Sequence, residues 1–137
     1  MIPLLLDTCA VIWLAEEEPV AKTAENALAK AADAGQPVYI SPISGWEIGL
    51  LVAGGRLKLS LSPEAWFERA LAAPHLRLSE LSIQMLIESS FLPGTPPRDP
   101  ADRIIAATAR ANGYCILTRD RHLLDYAAEG HVKALAC

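Results

Sequence analysis

The chain has 137 residues, a length that suits one domain with a real core and no need of disulfide or metal staples. With 52% hydrophobic residues and a formal charge of −4, it is neither a disordered tail nor a general nucleic-acid coat protein. A nuclease stays open, because acids gathered to hold a divalent metal drive the count negative.

The opening run "MIPLLLDTCAVIWLA" is apolar, lacks a basic leader and is interrupted by Asp7. It is too short to span a bilayer and reads as a buried strand running into a helix, not as a signal peptide. No other run is long enough to cross a membrane, so a soluble, cytoplasmic protein is expected. "VAKTAENALAKAADAG" is an Ala-rich helix with Gly35 as its stop signal. "PVYIS" reads as a second strand, and "ISGWEIGLLVAGG" as a helix ending on a glycine pair. "SPEAWFERALA" opens with Ser62, Pro63 and an early acid, which is a helix start.

"LRLSEL" is a third, short strand and "SIQMLIESSFL" a further helix, followed by the turn-rich loop "PGTPPR". The helix beginning at "DPADRIIAATA", the strand "YCILT", a short helix near "RHLLDYA" and a last strand at "VKALA" complete the chain. Strands alternating with helices, without hairpin turns, imply a parallel sheet sandwiched by helices: one three-layer α/β/α domain over residues 1–137. Cys9, Cys115 and Cys137 are odd in number and lack metal-ligand spacing. Two of them lie in apolar runs and read as small core residues in a reducing compartment.

Function in open α/β sheets sits beyond the carboxyl ends of the strands. There the sequence places Asp7 and Thr8, Ser41, and Thr118 with Asp120. Asp7 is the only charge in the first fifteen residues, and Glu47 the only one between Ser41 and Gly55. A carboxylate in such surroundings needs compensation or takes up a proton. Asp102 leads the stripe Asp102, Ile105, Ala106, Ala109, which follows one helix face, so its carboxylate turns inward.

Each acid also has a plain structural explanation. Asp99 before Pro100 is an N-cap, and Asp102 is an acid favoured by the helix dipole. Glu47 with Ser44 has the form of a capping box, Asp7 could pair with a buried arginine, and Asp120 could be a turn residue. Four acids at once near strand ends favour the functional explanation. Oxygen donors without clustered His or Cys suit Mg²⁺ or Mn²⁺ rather than zinc. His75, His122 and His131 are scattered and receive no ligand role. Thr8, Ser44 and Thr118 could orient carboxylates from behind, or serve only as caps and turns.

Together, "LLLDTCAVIWL", "SPISGWEIGLL", "DPADRIIAATA" and "ILTRD", in this order, resemble the PIN-domain ribonucleases. The likeness is nearest to VapC-type toxins of toxin–antitoxin pairs and runs from residue 2 to about residue 135. It implies a PIN-like sheet and a metal-dependent endoribonuclease using one or two Mg²⁺ or Mn²⁺ ions. The metal-binding and catalytic acids it implies are Asp7, Glu47, Asp102 and Asp120, with Asp125 a weaker substitute for the last. Asp99 fits a "DPxDR" variant as a neighbour of the site.

Arg98, Arg103, Arg119 and Arg121 are the expected RNA phosphate contacts. The resemblance further implies an RNA substrate, a small cognate antitoxin and a homodimer. The segment "EAWFERALAAP", with Trp66 and Phe67, reads first as core packing and second as a seat for such a partner. The competing assignments are a catalytically inactive PIN-like binding module and a phosphotransfer enzyme of the haloacid-dehalogenase kind. The latter wants a second acid two residues after the first, where this chain has Cys9. A receiver-type signalling domain needs a lysine after a late strand, and Lys133 lies inside the last one.

Overall fold

A computed structural model describes residues 2–137. In chain order the elements are β1 (Leu4–Leu6), α1 (Thr8–Ala15), α2 (Lys22–Asp33), β2 (Val38–Ile40), α3 (Pro42–Ala53), α4 (Pro63–Leu71) and β3 (Leu76–Leu78). They continue with α5 (Ile83–Glu88), α6 (Pro100–Asn112), β4 (Cys115–Thr118), α7 (Arg121–Ala128) and β5 (Lys133–Ala136). Every strand and helix expected from the sequence forms. The five strands make one sheet in the order β3-β2-β1-β4-β5, and all its pairings are parallel.

Alternation along the strands divides the core into two layers. Leu4 and Leu6 face one side with Val38, Ile40 and Leu117, against Ile48 of α3 and Trp66 of α4. Leu5 and Ile116 face the other, against Ile105, Ala106 and Ala109 of α6 and Leu123 and Tyr126 of α7. Buried on both faces, β1 needs the uninterrupted Leu run that it has. This is the expected α/β/α sandwich.

From β1 the chain winds outward through β2 to β3, then returns to add β4 and β5 on the other side of β1. The order therefore reverses between β1 and β4, the position at which open α/β sheets carry a crevice beyond the carboxyl ends of the strands. Asp7 follows β1 directly and Thr118 ends β4.

Helix α5 is shorter than the sequence pattern suggests. It stops at Glu88, where Ser89 returns its hydroxyl to the Leu86 carbonyl at 2.6 Å. Arg103 then takes the carbonyls of Ser89 and Ser90, at 2.9 and 3.3 Å, so the next turn is not needed to satisfy them. Helix α6 ends as its sequence demands, on Gly113 at φ 69° in the left-handed region.

Two sequence expectations resolve here. Trp66 is buried, and its indole N–H donates to Glu16 Oε1 at 2.9 Å, so the α4 tryptophan is core packing. The cysteines are not uniformly core: Cys137 is buried, Cys115 is half-buried and Cys9 is exposed. Cys9 lies in the first turn of α1, which starts directly after β1. No helix among the described residues is long and apolar enough to cross a membrane.

Candidate active site

Helices α1, α3 and α7 begin beyond the carboxyl ends of β1, β2 and β4. Asp7, Asp99 and Asp120 cap α1, α6 and α7, Asp102 lies in the first turn of α6, and Glu47 in the second turn of α3. Asp7 is the N-cap of α1, accepting from the Ala10 N–H at 2.8 Å through Oδ1, while the Thr118 hydroxyl donates to Oδ2. Asp99 caps α6, accepting from the Asp102 N–H at 3.0 Å. Asp120 caps α7, accepting from the Leu123 N–H at 3.0 Å. The partial positive charge of three helix N-termini thus faces the crevice and offsets part of the repulsion among these acids.

Glu47 is not half of a capping box. The N-cap of α3 is Ser41, which accepts from Ile43 N–H at 3.1 Å. Ser44 lies fully buried in the first turn and hydrogen-bonds Thr8 at 3.0 Å, and Thr8 in turn donates to Oε1 of Glu47. A hydroxyl pair from two helices therefore sets the direction of the Glu47 carboxylate. Thr118 plays the matching part on the other side: its oxygen accepts the Asp120 N–H at 2.9 Å while its hydrogen goes to Asp7.

The site is electrostatically one unit. Burial pushes the Asp102 carboxyl up to about 8, with Asp99, Asp120, Glu47 and Asp7 adding repulsion. Burial likewise raises Asp7 against the hydrogen bonds from Thr118 and Ala10, and Asp120 raises it further. Glu47 is raised by burial, against its bond to Thr8, and by Asp99 and Asp7. The exposed Cys9 thiol belongs to the same neighbourhood. Burial of its sulfur environment and then Asp7, Glu47, Asp102 and Asp120 push it up to about 11, so it stays a thiol near neutral pH. The sequence signal for Cys9 was its place two residues after the strand-end acid.

Among the described residues no arginine or lysine forms an ion pair with these acids. The ion-pair contacts among the described residues are Lys22 with Glu25 and His131 with Glu129, and neither involves the crevice. Uncompensated carboxylates with hydroxyl neighbours are the donor set of a hard divalent cation, so the residues present fit such an ion chemically. They are not a finished cage. Among the described residues no three His, Cys, Asp or Glu side chains already stand in a metal-holding arrangement. Asp7, Glu47 and Asp120 are instead held by backbone and hydroxyl partners.

The arginines divide. Arg98 and Arg121 are exposed beside the crevice acids in sequence. Arg119 lays its guanidinium 3.8 Å over the Trp13 ring and donates to the Pro19 carbonyl at 2.8 Å. Arg103 donates through all three nitrogens to the carbonyls of Ser89, Pro97 and Ser90, at 2.9, 3.2 and 3.3 Å. That geometry ties the loop before Asp99 and engages Arg103 with three backbone carbonyls. Asp125 lies exposed on α7, beyond the Asp120 cap.

Residues 4–129 match the model of the PIN domain. This chain belongs to the PIN-domain family. It is 31% identical over 124 residues to Ribonuclease VapC22 of Mycobacterium tuberculosis, covering 90% of this chain and 91% of that protein. Among solved structures, this PIN domain resembles VapBC2 from Rickettsia felis bound to a promoter DNA fragment, with TM-score 0.69 and 17% identity over 99% of this chain and 98% of that one. It also resembles DNA-bound VapBC from Salmonella typhimurium, with TM-score 0.66 and 20% identity over 99% and 98% of the two chains. These two likenesses speak for the fold of the PIN domain.

Proposed function

We propose that this PIN-domain chain is a metal-dependent endoribonuclease that hydrolyses RNA phosphodiesters and acts as the toxin of a toxin–antitoxin pair. The observation that carries it is the mutual electrostatic influence of Asp7, Glu47, Asp102 and Asp120, which have no ion-paired Lys or Arg among the described residues. The likeness to a named ribonuclease over nine-tenths of the chain supports the same reading.

Asp7, Asp102, Asp120 and Glu47 are the residues that would hold one or two Mg²⁺ or Mn²⁺ ions. When bound, such an ion supplies a Lewis acid for phosphoryl oxygens and lets water ionise near neutral pH. Thr8 and Ser44 orient Glu47, and Thr118 orients Asp7 and the chain at Asp120. Asp99 starts α6 so that Asp102 projects into the crevice. Arg98 and Arg121, both exposed, would attract the phosphate backbone.

The partners are a small cognate antitoxin and a second copy of the chain. An exposed apolar face supports a homodimer: Ile83, Ile87 and Phe91 are 76%, 57% and 80% exposed. Cleavage of a mixed RNA pool with Mn²⁺ tests the activity, with wild type active and Asp7→Asn and Asp102→Asn reduced at least about a hundredfold. Equal cleavage by all three proteins would refute it. Co-expression of the product of an adjacent small open reading frame should relieve the growth arrest caused by this chain.

A further inference from the structure

A groove of about 360 Å³ runs alongside the acid crevice, between the outer face of α3 and the start of α6. Glu47 and Asp99 line it, so it is continuous with the catalytic acids. Its other walls include Trp46, Leu50, Arg56 and Ala101. Trp46 and Leu50 are one helical turn apart, and each is 53% exposed. An indole left this open beside a charged site is costly to keep unless something covers it. Arg56 is exposed, and no carboxylate pairs with it among the described residues.

A flat aromatic surface with a nearby cation, continuous with the place where a phosphodiester is cut, is the equipment for gripping an unpaired nucleotide. We propose that this groove is a nucleotide subsite for single-stranded RNA. A base flanking the scissile phosphate stacks on the Trp46 indole, and Arg56 takes a neighbouring phosphate. The proposal rests on the ribonuclease reading and deepens it by naming Trp46 and Arg56 as residues that hold the substrate beside the acids. An aromatic face with Arg56 beside it suits a nucleotide better than a second copy of this chain. A dimer face here would bury Glu47, Asp99 and Arg56 at its core, where charged residues are depleted.

The test is steady-state cleavage of a short, mixed-sequence, single-stranded oligoribonucleotide with Mn²⁺. Trp46→Ala should raise KM about tenfold with kcat within about threefold, and Trp46→Phe should recover most of the loss, because phenylalanine keeps a stacking face. Arg56→Gln should raise KM and shrink the salt dependence of binding by about 0.7 in log–log slope. The same oligonucleotide pre-annealed to its complement should bind wild type and Trp46→Ala equally poorly.

An unchanged KM in Trp46→Ala overturns the subsite while leaving the ribonuclease reading intact. An unchanged KM together with loss of the dimer in light scattering assigns the groove to a protein contact and also overturns it. If wild type does not cleave RNA, the functional reading fails, and tryptophan fluorescence then decides the groove. Quenching by the oligonucleotide that disappears in Trp46→Ala supports the subsite, and absence of quenching in wild type refutes it.

Discussion

Thr118 donates its hydroxyl hydrogen to Asp7 and accepts the Asp120 N–H at 2.9 Å, so one buried side chain joins the ends of β1 and β4 to the start of α7. The two acids it serves are 113 positions apart in the chain and stand on either side of the strand-order reversal. Thr118→Val keeps the shape and removes both bonds, leaving a buried carboxylate short of a donor. Unfolding in urea should show a loss of about 1–3 kcal/mol, and RNA cleavage should fall further than stability explains. Thr118→Ser should restore most of both.

The acid cluster carries a pH signature. Asp102, raised by burial and its acidic neighbours to about 8 from an ordinary 3.8, keeps its proton in the folded protein where the unfolded chain has lost it. Below pH 3.8 both states are protonated and the group contributes nothing to the balance. As pH rises from there to about 8 the unfolded state is increasingly favoured, and above that the effect levels off. Asp7 and Glu47, also raised, act in the same direction. The metal-free protein should therefore melt at progressively lower temperature across this window. Asp102→Asn should flatten the profile and melt higher than wild type at pH 8. Asp7→Asn is a poorer probe of repulsion, because Asp7 also caps α1 and accepts from Thr118.

The arginines should separate by salt dependence. Arg98→Ala and Arg121→Ala should each lower the slope of log binding constant against log salt for single-stranded RNA by about 0.7. Arg103→Ala should leave that slope unchanged and cost about 1–3 kcal/mol of stability instead, since it strips three carbonyls of their donor. A slope change in Arg103→Ala would mean that its guanidinium leaves the loop to meet phosphate.

The fold was legible because its signals are local and agree with one another. The Leu run of β1, the Ser62-Pro63 and Asp99-Pro100 starts and the Gly113 stop each act within a turn or two. Asp102 was legible for the same reason: it leads a stripe whose period the helix fixes. What could not be read depended on contacts between distant segments. Ser44 and Glu47 satisfy a capping-box pattern, yet Thr8 from another helix claims both side chains. Arg103 looks like any basic residue near acids until the 89–98 loop folds back onto it. Cys9 sits in an apolar run, yet it is exposed. Trp46 and Arg56 gain meaning only when α6 arrives beside α3.

Manganese binding followed by calorimetry at pH 7, in buffers of different ionisation heat, tests the central claim most directly. Asp102 is largely protonated there before the ion arrives and must release that proton to bind it. Wild type should bind Mn²⁺ with close to one proton released, and Asp102→Asn should bind at least about tenfold more weakly with that proton release gone. Binding by Asp102→Asn with the affinity and proton count of wild type, or no binding by wild type at millimolar metal, would contradict the assignment of these acids as a cation site.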